Sequence, residues 1–409
     1  MTVYTFFKRS SGYQSTYNRH ALIHIGKLAV SVAKKPLNDL NKLSKHHQTC
    51  LKSNNRYFKT VSNTISKRFN EQFNEQLSMT QTSSATLLSQ LQTMTTVVAD
   101  TGDLTAIEQF RPLDATTNPS LITVAASLPS NLPLIEDALR DARAKGLVDD
   151  AMIDRAIDLL TVRLGLEILK LIKGRVSTEV DARLSYDTDE TIEKAHELIA
   201  LYKKSGIDQS RVLIKIAATW DGIQAARVLE AEGIHCNLTL IFGLHQAVAC
   251  ADAGVTLISP FVGRILDWYK KSEGKDSYAI ELDPGVLSVG EIYAYYKQHH
   301  HKTEVMGASF RSLAQVTALA GCDLLTISPA LLAELSNNTG DLTRQLSIET
   351  AKLKPMSTLT MTKEKFDAMH SDNLMAFELL QGGIDGFVKA REQLTIQLRQ
   401  IAGIADIQP

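Results

Sequence analysis

Residues 187–217 read DTDETIEKAHELIALYKKSGIDQSRVLIKIA, and one structural unit is written out in full there. Asp187 stands three residues before Glu190, the spacing at which a helix begins under a side-chain cap. Ile192, Ala195, Ile199 and Tyr202 then fall on one face at helical spacing. Lys203 and Lys204 suit the negative end of the helix dipole, and Gly206 can take the left-handed conformation that closes a helix. An apolar run follows: Val212, Leu213, Ile214 and Ile216. The order is helix, glycine, strand, and it recurs. A helix over Asp221–Glu232 stops at Gly233 before a strand from Ile234 to Ile241. The next stops at Gly254 before Val255–Ser259, and a later one at Gly321 before Leu324–Ile327.

Working outward, eight strands are predicted: Val97–Ala99, Leu113–Thr116, Val176–Val180, Val212–Ala217, His235–Leu240, Thr256–Pro260, Val305–Ser309 and Leu324–Ser328. Strands that alternate with helices pair in parallel through crossovers. Eight such units in roughly 240 residues predict a closed (β/α)8 TIM barrel of the α/β class. An open doubly wound sheet is the alternative, but no GxGxxG turn follows an early strand. Extra helices are expected from Ser130 to Lys173, between the second and third strands. The tail from Ala330 to Pro409 is expected to be purely helical, with Phe377, Leu380, Ile384, Phe387, Val388 and Leu394 packing on the barrel.

The chain has 409 residues and a formal net charge of −1. That total hides a split. Residues 1–80 carry 13 Lys and Arg against three acids, or +10, while the remainder carries 31 against 42, or −11. The negative balance of residues 81–409 excludes a basic nucleic-acid domain there. No run of 18 apolar residues exists to span a membrane, and the run Ala21–Ala33, broken by His24 and Lys27, is a poor signal-peptide core. The four cysteines form no CxxC pair, which excludes a zinc ribbon and fits a reducing compartment. Cys236 and Cys250 read as small core fillers.

Residues 1–78 read as a basic, disordered extension ahead of a barrel spanning 79–409. Three explanations stay open for the extension: a dispensable segment upstream of Met79, an organelle transit peptide, or a nucleic-acid-binding tail.

A barrel of this type carries its chemistry at the C-terminal ends of its strands. In chain order these ends offer Asp100; Thr116, Thr117 and Asn118; Thr178, Glu179 and Asp181; Lys215; Asn237 and Thr239; Ser259 with Arg264 beyond it; Ser309 and Arg311; and Thr326 and Ser328. Lys215 is flanked by Val212, Leu213, Ile214, Ile216 and Ala217. An ammonium kept from water gives up its proton more readily, and the free amine attacks a ketone to form an imine. The competing reading is a structural ion pair. Glu179 on the adjacent strand fits both, as partner or as proton shuttle. Asp100 and Glu179 can serve the proton steps of an imine-forming aldolase, and Asn118, Asn237, Thr239 and Ser259 can bind polyol hydroxyls. Arg264 and Arg311 offer guanidinium forks for a phosphate monoester. His299–His301 reads as a solvated helix terminus at the other barrel end, without a metal.

Together these segments resemble the transaldolase family. They are VVADTG around Asp100, DATTNPS around Asn118, STEVD around Glu179, LIKIA around Lys215, CNLTL around Asn237 and Thr239, ISPFVGRILDWY around Ser259 and Arg264, and MGASFR around Ser309 and Arg311. The resemblance implies a Schiff base on Lys215, with Asp100 taking and returning the hydroxyl proton at carbon–carbon cleavage. It also implies that Glu179, Thr239 and a water move protons during imine formation. Asn118, Asn237 and Ser259 would hold the three-carbon unit, and Arg264, Ser309 and Arg311 the phosphate. Phe261 would line the substrate site, where shorter aldolases that release free dihydroxyacetone carry Tyr. The implied reaction moves a dihydroxyacetone unit from fructose 6-phosphate or sedoheptulose 7-phosphate to erythrose 4-phosphate or glyceraldehyde 3-phosphate. It needs no cofactor or metal, and larger members of the family resemble homodimers; the residues themselves add the expectation of a cytoplasmic chain, unless residues 1–78 target an organelle, with no membrane contact and no nucleic acid on the barrel. A free-dihydroxyacetone aldolase and a non-catalytic barrel with a nucleic-acid-binding tail are the alternatives. Two departures stand out: Phe242-Gly243-Leu244-His245 after the fifth strand, and Ala368 and Ser371 in the tail, where similar proteins more often carry Trp and Asn.

Overall fold

A computed structural model describes residues 85–353 and 355–404. The basic extension, residues 1–78, lies outside the described residues, as do the last five. Eight parallel strands close in sequence order: β1 (Thr96–Asp100), β2 (Asp114–Thr116), β3 (Val176–Glu179), β4 (Val212–Ala217), β5 (Cys236–Ile241), β6 (Leu257–Pro260), β7 (Glu304–Gly307) and β8 (Leu324–Ile327), with β8 pairing back to β1. The predicted TIM barrel is therefore present. β4 and β5 are buried at every position, as parallel strands covered on both faces must be.

The helix–glycine–strand unit forms as its sequence dictates. Asp187 accepts a hydrogen bond from Glu190 N at 2.9 Å and caps the helix Thr188–Lys204. Gly206 and Gly233 follow their helices with φ of +80° and +78°, which a side chain would resist. The extra helices are Leu132–Arg143 and Asp149–Leu171, and they share an apolar cluster with Leu394 and Leu398 of the long tail helix, Leu374–Ala402.

Inside the barrel, Val98, Leu213, Leu257, Met306 and Leu324 form one apolar layer. Strand side chains alternate, so the residues two further along point the same way: Asp100, Lys215, Ser259, Ala308 and Thr326. A dry plug thus underlies a mostly polar layer at the C-terminal mouth.

Several expectations need correction. β2 starts at Asp114, leaving Leu113 half exposed. β7 ends at Gly307, because Ser309 adopts φ +62° and leaves strand geometry. The tail is not purely helical. Residues 338–347 and 355–362 are irregular, at Gly340 with φ +137° and around Pro355, whose ring cannot continue a helix. Phe377 is half exposed, whereas Leu380, Ile384, Phe387 and Leu394 are buried. The histidine run is only partly solvated: His300 is exposed, while His299 and His301 pack their rings on Tyr295.

Candidate active site

β3, β4 and β5 set the centre of the site by register. Glu179 pairs with Lys215, and Lys215 with Asn237, so the three side chains enter the mouth at one level. Lys215 Nζ lies 3.0 Å from Glu179 Oε2 and donates to the Thr117 carbonyl at 3.2 Å. Burial pushes the Glu179 carboxyl above its ordinary range, against the pull of Lys215.

Asp100, at the end of β1, accepts from Thr116 Oγ1 at 3.1 Å, and Thr116 is tied to Thr326 at 2.7 Å. Burial raises the Asp100 carboxyl too, opposed by Lys215, the Thr116 hydroxyl and Arg264. A carboxyl held in this way holds and releases a proton closer to neutrality than a solvated one.

Asn237 is fully buried between its neighbours, donating to Ser177 Oγ at 3.0 Å and accepting from Ser259 Oγ at 2.6 Å. The Thr239 hydroxyl is buried on the next level of β5 and has no hydrogen-bond partner among the described residues. Asn118 uses Oδ1 to cap the helix Pro119–Ala126, which leaves its amide nitrogen for the cavity.

The anion end is built from β6 and β7. Arg264 sits on the first turn of the helix Val262–Glu273, with its guanidinium 5.0 Å from the Phe261 ring centre and 5.8 Å from that of Phe387. It makes no ion pair with a carboxylate among the described residues. Burial and the nearby Arg311 both disfavour its charge. Arg311 is more exposed; it is paired with Asp267 at 2.8 Å and donates to the Ser309 carbonyl and hydroxyl at 3.1 and 3.2 Å. Gly263 permits this assembly, since a Cβ there would lie 2.2 Å from the Ser309 carbonyl oxygen.

A cavity of about 230 Å³ joins Asp100, Asn118, Lys215, Ser259, Phe261, Arg264, Ser309 and Arg311. Glu179 borders a smaller cavity of about 40 Å³ behind it, with Thr117 and Asn118. Asn237 and Thr239 line neither. A larger cavity of about 1200 Å³ lies at the opposite barrel end, among Thr96, Arg111, Lys173, Glu304 and Asp323, and contains none of the expected site residues. No group of three His, Cys, Asp or Glu side chains among the described residues is placed to hold a metal ion.

Four residues contribute beyond what the sequence alone assigns. Phe387 was expected only to pack on the barrel, yet it forms a wall of the main cavity. Thr116 and Thr326 were noted at strand ends without a role. Gln246 was not noted at all. It accepts from Phe242 N and Gly243 N at 2.9 and 3.1 Å and donates to the Ala218 and Leu240 carbonyls at 3.0 and 3.1 Å. The only signal was a lone amide in the alanine-rich helix Leu244–Asp252. The first departure meets the tail at the helix Leu244–Asp252, which packs against the helix Lys363–Asp372, while Ala368 and Ser371 of the second are exposed. His245 contacts His370 at 3.0 Å, and Asn373 caps the long tail helix.

A family model described as Transaldolase/Fructose-6-phosphate aldolase matches residues 97–398. The chain is 60% identical over 314 residues to a transaldolase of Methylococcus capsulatus, covering 76% of this chain and 95% of that one. It is 59% identical over 315 residues to a transaldolase of Acidobacterium capsulatum, covering 76% and 94%. It is 58% identical over 314 residues to one of Nostoc punctiforme, covering 76% and 94%.

Proposed function

This chain belongs to the transaldolase/fructose-6-phosphate aldolase family and is an enzyme, a transaldolase, and from that premise we propose that its chemistry runs through a Schiff base on Lys215. The observation that carries this assignment is a buried lysine at the edge of a polar cavity, 3.0 Å from a carboxylate whose proton affinity is raised. The neutral amine attacks the ketose carbonyl, and Glu179, with Thr239 and a water, moves the proton that lets the carbinolamine lose water. The Thr239 hydroxyl, without a partner among the described residues, supports a water at that point. Asp100 then removes the C4 hydroxyl proton as the C3–C4 bond breaks, and returns it to the new alkoxide when the acceptor aldehyde adds.

Asn118, Asn237 and Ser259 hold the three-carbon unit in this reading. Phe261 walls the substrate, and Arg264, Ser309 and Arg311 bind its phosphate. Fructose 6-phosphate and sedoheptulose 7-phosphate are the proposed donors, and erythrose 4-phosphate and glyceraldehyde 3-phosphate the acceptors. Borohydride reduction in the presence of fructose 6-phosphate, followed by peptide mapping, tests the assignment. An adduct on the peptide holding Lys215 is expected; an adduct elsewhere overturns it.

The extension, residues 1–78, is proposed to be dispensable, and residues 79–409 to be the catalytic unit. A chain beginning at Met79 should then keep its melting temperature and turnover. A cytoplasmic location is proposed from the reduced, buried Cys236, Cys250 and Cys322, and transit to an organelle through residues 1–78 is the alternative. No helix among the described residues is long and apolar enough to cross a membrane. A homodimer that binds no nucleic acid through its barrel completes the proposal, and sedimentation and a salt-dependent binding assay check it.

A further inference from the structure

The tail helix Leu374–Ala402 brings one aromatic ring to both ends of the substrate's path. The Phe387 ring centre is 5.8 Å from Lys215 Nζ and 5.8 Å from the Arg264 guanidinium carbon. Its side chain is buried and lines the main cavity. One turn earlier, Gly383 lets the helix backbone come close: a Cβ there would lie 2.7 Å from Leu240 Cδ2 and 3.2 Å from Arg264 Nη1. The ring is therefore delivered by a helix seated tightly on the barrel mouth.

A ketose phosphate joined to Lys215 at C2, with its phosphate at Arg264, must run between these two cations. The C3–C4 bond lies in the middle of that path, beside the ring. After cleavage, C3 carries the nucleophilic electron pair of the enamine, and it has two fates. It can form a C–C bond to an acceptor aldehyde, whose new alkoxide takes the proton held by Asp100. Or C3 can gain that proton through a water. Water then adds to the iminium carbon, the C–N bond breaks, the lysine is restored and dihydroxyacetone leaves. Both routes balance without any oxidant or reductant.

We propose that Phe387 is a specificity-determining residue that keeps water from C3 of the enamine, so that the three-carbon unit passes to an aldehyde and is not lost as dihydroxyacetone. This rests on the Schiff-base reading of Lys215. An apolar wall acts here because protonation of carbon needs a water beside it, whereas the acceptor brings its own carbon surface to the ring.

The test uses the full chain and its Phe387→Ala and Phe387→Leu variants, supplied with fructose 6-phosphate with and without erythrose 4-phosphate. Free dihydroxyacetone and sedoheptulose 7-phosphate are quantified, and borohydride adducts on Lys215 are followed by mass spectrometry. The ratio of release to transfer should rise on the order of tenfold in Phe387→Ala and less in Phe387→Leu, with the adduct still trapped. A ratio equal to that of the parent, with both rates falling together, would make Phe387 a packing residue only and overturn the proposal. Should the alanine variant not fold, the leucine variant, which packs but vacates part of the ring's space beside C3, decides by the same ratio: a rise supports the proposal and a parental ratio overturns it. Absence of any Lys215 adduct in the parent chain is a separate result: it removes the Schiff-base reading and this proposal with it.

Discussion

Lys215 Nζ stands 3.0 Å from Glu179 Oε2, with both side chains 5% exposed. Removing two charges from water costs several kcal/mol per ion, and the pair regains it only through close contact. At this distance Glu179 can hand a proton across during imine formation, and burial raises its carboxyl above the ordinary range. Glu179→Gln keeps the shape and removes the group that can take and return a proton. Formation of the borohydride-trapped adduct should slow roughly 10²–10⁴-fold. A rate matching the parent would leave the pair a structural role.

Lys215 and Asp100 act at different steps and should fail differently. Lys215→Met should abolish both adduct and turnover. Asp100→Ala should still form a six-carbon adduct and stall at cleavage, losing roughly 10²–10⁴-fold in turnover. Mass spectrometry after incubation with fructose 6-phosphate and borohydride separates the two. An adduct without Lys215, or parental turnover without Asp100, removes the corresponding role.

The raised Asp100 carboxyl also makes a statement about stability. Its folded value lies above the ordinary 3.8, so the folded chain holds this proton where the unfolded chain has lost it. The contribution to stability is fully present below 3.8 and is lost as pH rises through the folded value. Asp100→Asn has no proton to lose and its Oδ1 can still accept from Thr116. It should melt above the parent at about pH 7.5, with the gap closing toward the ordinary carboxylate range. Equal melting curves at both ends of that pH scale would contradict the sign.

Arg264 and Arg311 should not contribute equally. Arg264 is half-buried against two aromatic rings and has no carboxylate partner among the described residues, while Arg311 is shared with Asp267. A charge-assisted bond is worth roughly 1.5–3 kcal/mol, so Arg264→Ala should raise the KM for phosphorylated donors on the order of tenfold to a hundredfold. Arg311→Ala should raise it less, because its charge is already partly answered. Steady-state kinetics decide, and an unchanged KM in Arg264→Ala would end its assignment to phosphate.

Gln246 is a stability prediction. Leu240 bends β5 near its end at φ +58°, where the pairing with β6 shifts register, and the Gln246 amide ties down both sides of that bend. Gln246→Leu would leave two N–H and two carbonyl groups buried and unpaired, each costing about 1–3 kcal/mol. Denaturant unfolding should show a lowered midpoint, together with slower adduct formation because Thr239 precedes the bend.

Much of this was legible without coordinates. The alternation of helix, glycine and strand is a local property: a capping Asp187, a stripe at helical spacing and Gly206 act within a few residues of one another. The period of two in a strand is local as well, so Leu213 facing the plug already places Lys215 above it. These short-range rules determined the barrel and the set of polar side chains at its mouth. Closure and register decided the rest, because they join residues far apart in the chain. They set Glu179 against Lys215, tied Asn237 to Ser177 and Ser259, and left the Thr239 hydroxyl without a partner among the described residues. The positive φ of Ser309 and Leu240 had no sequence signal, since neither is glycine and both conformations are held by neighbouring elements. Phe387 read as one more apolar residue on a tail helix. Only the docking of that helix at Gly383, some 170 residues beyond Lys215 in the chain, turned it into a wall of the cavity between two cations.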